Sequence, residues 1–244
     1  RILLEVKNGR RKSMKPGIIG AMEEEVTALK ETMDVRKVTE AASMEFVEGT
    51  LEGKEVVVVR SGVGKVNAGV CAQILAQQFQ VSAIINTGIA GSLDAGIDIG
   101  DMVISTDAVY HDVDAGTFGY EPGQVPRMDT LTFPADPELI RKASEANRKA
   151  NPDIQTFTGR VASGDQFIGD QARKDWIKQT FHASCVEMEG TAIAHVAYLN
   201  KVSYVIIRAI SDKADNSAVM DYPTFEKQAI AHSVALVKEL MRML

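Results

Sequence analysis

Two short apolar runs in this chain hold charges that a buried strand cannot accommodate unaided. In Ala183-Ser184-Cys185-Val186-Glu187-Met188-Glu189-Gly190 two glutamates sit among strand-forming residues. In Val205-Ile206-Ile207-Arg208-Ala209-Ile210-Ser211-Asp212 an arginine lies inside a hydrophobic strand that ends in Ser-Asp. Desolvating a lone carboxylate or guanidinium is costly unless it is paired or bound. The two runs therefore point to a pocket built from acids at strand ends, the kind of place where perturbed groups serve binding or catalysis.

The remainder alternates strand and helix. Strand character appears at 15–21, 46–51, 55–60, 83–87, 102–106 with 108–110, 158–163, 183–189 and 203–210. Helical spacing appears at 22–33, 66–79, 137–150, 171–180, 190–200 and 225–244, the last with Ile230, Val234, Val237, Met241 and Leu244 on one stripe. Glu52-Gly53-Lys54 reads as a hairpin, 88–91 as a glycine turn and 212–221 as a polar loop. The stretch 111–133, rich in Gly, Pro and Asp, is long for a compact domain and so reads as a functional or interface element. The expected class is α/β, with a central mixed, largely parallel twisted sheet flanked by helices on both faces. No repeat or linker divides 14–244, which read as one domain. Residues 1–13 are basic, precede Met14 and read as a non-native or upstream leader, its Ile2-Leu3-Leu4 run too short for a signal-peptide core or membrane span.

A net charge of −6 disfavours nucleic acid and anionic membranes as partners and favours a small ligand. Cys71 and Cys185, each in an apolar segment, read as buried free thiols of a reducing compartment, which with the lack of targeting signals points to the cytoplasm. Ser61-Gly62-Val63-Gly64-Lys65-Val66 has the Gly-Lys of a phosphate-binding loop, but Val59 stands where the first glycine belongs and Val66 where Ser or Thr would hold magnesium. Neither a dinucleotide fingerprint nor a GxSxG elbow occurs. His111-Asp112-Val113-Asp114 offers metal-ligand types without a matching cluster, so an ordinary polar loop is the better reading and no metal is expected.

Three acids recur at strand ends: Glu25, Glu189 and Asp212. Singly, each fits a helix-start acid or a cap. Together with Glu187 and Arg208 they favour a shared pocket outside the carboxyl ends of the strands. Two carboxyls in different environments suit cleavage of a glycosidic bond, one protonating the leaving group and the other activating water, with no cofactor required.

The segments Gly17-Ile18-Ile19-Gly20-Ala21-Met22-Glu23-Glu24-Glu25, Ser61–Val66, Asn86-Thr87-Gly88, Val186-Glu187-Met188-Glu189 and Arg208–Asp212, in this order and spacing, closely resemble the 5′-methylthioadenosine/S-adenosylhomocysteine nucleosidases of the purine nucleoside phosphorylase superfamily. The resemblance spans 14–244. It implies hydrolysis of the N-glycosidic bond of an adenine thionucleoside, giving adenine and a 5-substituted ribose. By that match Glu25 would activate water and Asp212 would protonate adenine N7. Glu189 and Met188 would hold the ribose, with Arg208 orienting the acids. Phe167 would stack on adenine while the Ile168 backbone reads its amino edge. Met22, Val63 and Tyr222 would line the thioalkyl and ribose side, Gly91 would permit close approach, and Val186, Glu187 and Ser211 join the substrate-binding set. The family is usually a homodimer, and Phe118 and Pro126 match the loop that closes the partner's 5′ pocket.

One departure stands at Ile89, where relatives often carry serine. With Thr87 in place of an arginine before the turn, the change favours water over phosphate as nucleophile. Two other readings stay open on the residues alone: a phosphate-dependent purine nucleoside phosphorylase and a non-catalytic purine-nucleoside binding protein.

Overall fold

The computed structural model of the chain describes residues 14–215 and 218–244. The expected leader at 1–13 lies outside the described residues. The order is β1 (Pro16–Gly20), α1 (Glu23–Lys30), β2 (Asp34–Ala41), β3 (Met44–Leu51), β4 (Lys54–Arg60), α2 (Lys65–Gln77), β5 (Ala83–Ser92) and β6 (Met102–Tyr110). A 3₁₀ turn (Gly116–Phe118) leads to β7 (Phe133–Pro134), α3 (Pro137–Ala150), β8 (Thr156–Ser163), α4 (Gln171–Phe181), β9 (Cys185–Glu187), α5 (Gly190–Asn200), β10 (Ser203–Asp212) and α6 (Ala218–Met243).

β5 organises the sheet. On one side β10 runs parallel to it from Ser203↔Ala83 to Asp212↔Gly91. On the other side its first half pairs with β1, parallel, and its end pairs with β9, antiparallel, through Gly91↔Val186. From β10 the sheet continues to β6, β8 and β9 and so returns to β5, closing five strands on themselves. β4, β3 and β2 extend outward from β1. The sheet is thus mixed, with parallel pairs around β1, β5 and β10.

Alternation along the central strands sorts side chains to two faces. Ile84, Tyr204 and Ile206 meet Ala68, Cys71 and Leu75 of α2 and Ile193 and Ala197 of α5 on one face. Ile85, Val205 and Ile207 meet Leu29 of α1, Leu139 and Ala143 of α3, and Val237 and Leu240 of α6 on the other. A third cluster packs Ile177 and Phe181 of α4 on Val109, Ala162 and Val186. The α/β class and the two-sided helical cover match the expectation from sequence. No helix among the described residues is long and apolar enough to cross a membrane.

Four local expectations need correction. Residues 88–91 are not a turn but the continuation of β5, because β10 pairs with the run along one edge, while on the other edge the Glu25 carboxylate takes the Ile89 N–H and β9 pairs at Gly91. β2 escaped notice because Asp34-Val35-Arg36-Lys37-Val38-Thr39-Glu40-Ala41 is largely exposed and lies at the sheet edge, with β3 as its ladder partner. The segments 102–106 and 108–110 are one strand with a register shift between Ser105 and Ala108. The polar loop at 212–221 is shorter, since β10 runs to Asp212 and α6 begins at Ala218 and continues through Pro223. The Glu52-Gly53 hairpin is present, with both residues at positive φ (51° and 76°) as a tight two-residue turn demands.

Leu75 of α2 is fully buried, and a Cβ built on Gly17 would stand 2.9 Å from its Cδ1, so this leucine rests directly on β1. Leu75→Ala is expected to cost about 2–5 kcal/mol, read as a lower urea midpoint at unchanged m value.

Candidate active site

The three strand-end acids converge. A cavity of about 290 Å³ lies at the carboxyl ends of β1, β4, β5 and β10 and is lined by Met22, Glu25, Val63, Gly91, Phe167, Val186, Glu187, Met188, Glu189, Ser211 and Asp212, together with Ala21, Ile89 and Ala90. A small adjoining space of about 40 Å³ brings in Gln166 and Ile168. A larger hollow of about 480 Å³ at the β2–β3 turn holds none of these acids, and its Glu23 is paired with Lys30 and Arg60. The convergence of the strand-end acids makes the smaller cavity the candidate site.

Glu25 is the third residue of α1, and its carboxylate reaches back over the start of the helix. Oε2 accepts from the N–H of Ala21 at 2.6 Å and of Met22 at 3.0 Å, and Oε1 from the N–H of Ile89 at 3.3 Å. Burial raises its pKa, opposed by these N–H donors and by the positive charge of Arg208. Gly88 makes the arrangement possible: a Cβ there would lie 2.6 Å from Glu25 Oε1 and 3.4 Å from Arg208 Nη1.

Arg208 stands opposite Gly88 in the β10–β5 register and is only 2% exposed. It does not line the cavity but backs it. Its Nη2 donates to Glu187 Oε2 and, at 2.5 Å, to Asn86 Oδ1, and its Nη1 donates to the Ile207 carbonyl at 3.0 Å. Glu187 also accepts from the Ser163 hydroxyl and from the N–H groups of Gly190 (2.8 Å) and Glu189 (3.2 Å). This carboxylate thus caps the start of α5, where the helix dipole favours negative charge.

Glu189, immediately before α5, accepts from the Gly64 N–H at 2.7 Å through Oε1. Burial, then the charge of Glu187, push its pKa up to about 8. Asp212 ends β10. Its Oδ1 accepts from the Ala214 N–H at 2.7 Å and its Oδ2 from the Ser211 hydroxyl at 2.9 Å. Burial raises its pKa, and the charges of Asp221 and Asp215 push the same way. Gly91 lies against it, where a Cβ would fall 2.7 Å from Asp212 Oδ1.

Of the residues expected from sequence, Phe118 is 83% exposed and Pro126 is exposed, and neither lines the cavity of its own chain. Tyr222 lies on α6, and its side chain is outside the described residues. Asp112, once weighed as a metal ligand, is engaged by Lys65 at 2.6 Å. Among the described residues no group of three or more His, Cys, Asp or Glu could hold a metal ion. Sequence reasoning missed the roles of Asn86 and Ser163. Asn86, a polar residue inside an apolar strand, carried the same signal as Arg208. Ser163 carried none, because a serine before glycine is ordinary turn composition.

Comparison with known proteins gives a consistent picture. Residues 15–242 match the family model of the phosphorylase superfamily. A curated 5′-methylthioadenosine/S-adenosylhomocysteine nucleosidase of Geobacillus sp. is 44% identical over 229 residues, covering 93% of this chain and 98% of the relative. The crystal structure of the nucleosidase of the same name from Neisseria meningitidis, in complex with methylthio-immucillin-A, superposes with a TM-score of 0.90 at 38% identity, covering 94% of this chain and 99% of that one. A futalosine hydrolase of Helicobacter pylori superposes with a TM-score of 0.89 at 31% identity, covering 95% and 98%.

The raised pKa of Glu189 has a consequence for stability. A carboxyl whose folded-state pKa lies above its unfolded value contributes stability that is complete below 4.5 and is lost as pH rises towards about 8. Glu189→Gln should flatten the fall in urea midpoint across that window; an unchanged slope would contradict the environment described for this carboxyl.

Proposed function

The chain belongs to the phosphorylase superfamily and groups with its 5′-methylthioadenosine/S-adenosylhomocysteine nucleosidases, enzymes that hydrolyse N-glycosyl bonds; from that premise we propose that Glu25 and Asp212 carry the hydrolysis of 5′-methylthioadenosine and S-adenosylhomocysteine, with 5′-deoxyadenosine as a further substrate. The observation that carries this reading is the convergence of Glu25, Glu189 and Asp212 on one cavity with apolar walls.

Glu25, held by main-chain N–H groups and facing the charge of Arg208, takes the proton of the attacking water. Asp212, whose neighbours Asp215 and Asp221 oppose its ionisation, donates to adenine N7 as the bond breaks. Glu189 accepts from the ribose hydroxyls, and Phe167 stacks on the base. With these substrates the reaction serves methionine salvage. The free thiols of Cys71 and Cys185 fit a cytoplasmic location.

Adenine release is to be followed in phosphate-free buffer with 5′-methylthioadenosine, S-adenosylhomocysteine, 5′-deoxyadenosine and futalosine. Release from the first two without phosphate is expected; cleavage of futalosine alone would shift the substrate assignment to that of the structural neighbour. Glu25→Gln and Asp212→Asn should each lower kcat by about 10²–10⁴-fold, and near-normal turnover by both would overturn the assigned roles.

The homodimer belongs to the same reading. Val66 and Val70 of α2 and Tyr198 and Leu199 of α5 expose an apolar face, with Val66 77% and Leu199 63% exposed. Beside it Tyr110, Val113, Val125 and His195 line a shallow open pocket. Such a face supports association with a second copy. The exposure of Phe118 and Pro126 supports their reaching the partner's 5′ pocket. Leu199→Glu with Val66→Asp should convert a dimer to a monomer in sedimentation and raise KM for the thionucleoside.

A further inference from the structure

The Ser61–Val66 glycine loop, rejected as a phosphate-binding loop, keeps a lysine that needs an explanation. Lys65 opens α2, and its Nζ lies 2.6 Å from Asp112 Oδ2 and 3.6 Å from Asp165 Oδ2. The contacts form a closed circuit. Asp112 Oδ2 also accepts the Asp165 N–H at 2.9 Å, and Asp165 Oδ1 accepts the Lys65 N–H at 2.8 Å. Although burial works against it, the hydrogen bond from Lys65 and the Asp165 N–H hold the Asp112 pKa low. The Lys65 ammonium also sits 5.4 Å above the Tyr110 ring centroid.

The two segments joined by this circuit each contribute a wall of the active-site cavity, Val63 on one and Phe167 on the other. One residue before Lys65, Gly64 holds φ at +96° and aims its N–H at Glu189 Oε1, 2.7 Å away. A Cβ on Gly64 would lie 3.2 Å from Asp165 Oδ1, so the turn is seated directly on that carboxylate. On the other wall Asp165 follows Gly164, whose N–H bonds the Glu187 carbonyl at 3.2 Å, and precedes Gln166, Phe167 and Ile168, which line the cavity.

We propose that Lys65 is a positioning residue for the nucleosidase reaction: through Asp112 and Asp165 it fixes the Gly64 N–H against Glu189 and locks the Val63 wall to the Phe167 wall. The inference rests on the functional reading above. An exposed ion pair would contribute little; Asp165 is half exposed, but Asp112 is 14% exposed, and one ammonium and two N–H groups share the two carboxylates, so the Lys65–Asp112 contact is the part that holds the circuit. Without Nζ the circuit loses its cation: Asp112 and Asp165 keep their main-chain donors, but the carboxylates are no longer drawn together, the Asp165 seat of the Gly64 turn loosens, and the hydrogen bond that favours ionised Glu189 weakens. Displacements of this kind, of about 1 Å, typically cost up to about 10²-fold in rate.

The charged groups facing Glu189 are Glu187 from β9, Arg208 from β10 and Glu25 from α1, and none is altered when Lys65 is changed. Weakening the Gly64 contact therefore moves Glu189 protonation to higher pH. For Lys65→Met, kcat/KM should fall about 10- to 100-fold and its acid limb should move to higher pH. In a Glu189→Gln background the same change should add little further loss. Asp112→Asn, which keeps the residue's shape, should act in the same direction and serves if Lys65→Met fails to fold.

A second readout needs no activity. The pH window over which the folded state loses stability should extend upward in Lys65→Met but not in Lys65→Met with Glu189→Gln. Wild-type protein that releases no adenine would refute the substrate assignment while the stability window still tests the circuit. An unmoved window, or a loss of activity fully additive with Glu189→Gln, would overturn the role given to Lys65.

Discussion

The guanidinium of Arg208 is buried, and its pairing with Glu187 is the constraint on which the rest of the molecule depends. Arg208 belongs to β10, Asn86 to β5 and Glu187 to β9, while Ser163, which donates to Glu187, ends β8. One ion pair and its hydrogen bonds therefore join four of the five strands that close on themselves. Losing one partner of such a pair leaves a buried charge and typically costs about 3–5 kcal/mol, so these strands cannot slip independently. The same carboxylate receives the first N–H groups of α5 and so sets where Glu189 stands. Fold and site are held by one contact.

Within that frame the cavity treats its acids unequally. Burial raises the pKa of both Glu25 and Asp212, yet the charges around them have opposite sign. Arg208 and three main-chain N–H groups work for the ionised form of Glu25; at Asp212 the Ala214 N–H and the Ser211 hydroxyl also favour the ionised form, but the charges of Asp221 and Asp215 work against it. Two carboxyls of similar burial thus sit in fields of different sign, which is the electrostatic difference the proposed division of proton-transfer roles draws on.

The sequence made legible whatever depends on a residue's own chemistry. A charge inside an apolar run must find a partner, and Glu187 and Arg208 found each other. Strand and helix periods gave the layers, because burial on two faces imposes them directly. The parts that stayed hidden depend on neighbours. β2 is written in exposed polar residues and is a strand only because β3 is there. The 88–91 run looks like a turn to any local measure and is straightened by β9 and β10. Closure of the sheet depends on two short pairings, Gly91↔Val186 and Ser92↔Cys185, that leave no periodic trace. Ser163 is silent for the same reason, since its importance lies in Glu187 and Thr191 rather than in itself.

The Glu25 carboxylate is held by the backbone N–H groups of Ala21, Met22 and Ile89. A main-chain donor is common to every residue type except proline, so the grip on this acid is written in the path of the chain rather than in its lettering. Positions 21, 22 and 89 can therefore change their side chains to reshape the pocket without releasing the Glu25 carboxylate. The constraint falls instead on Gly88, where the absence of a side chain holds open the gap between carboxylate and guanidinium. In this fold the acid is anchored by what any residue has, and protected by what only glycine lacks.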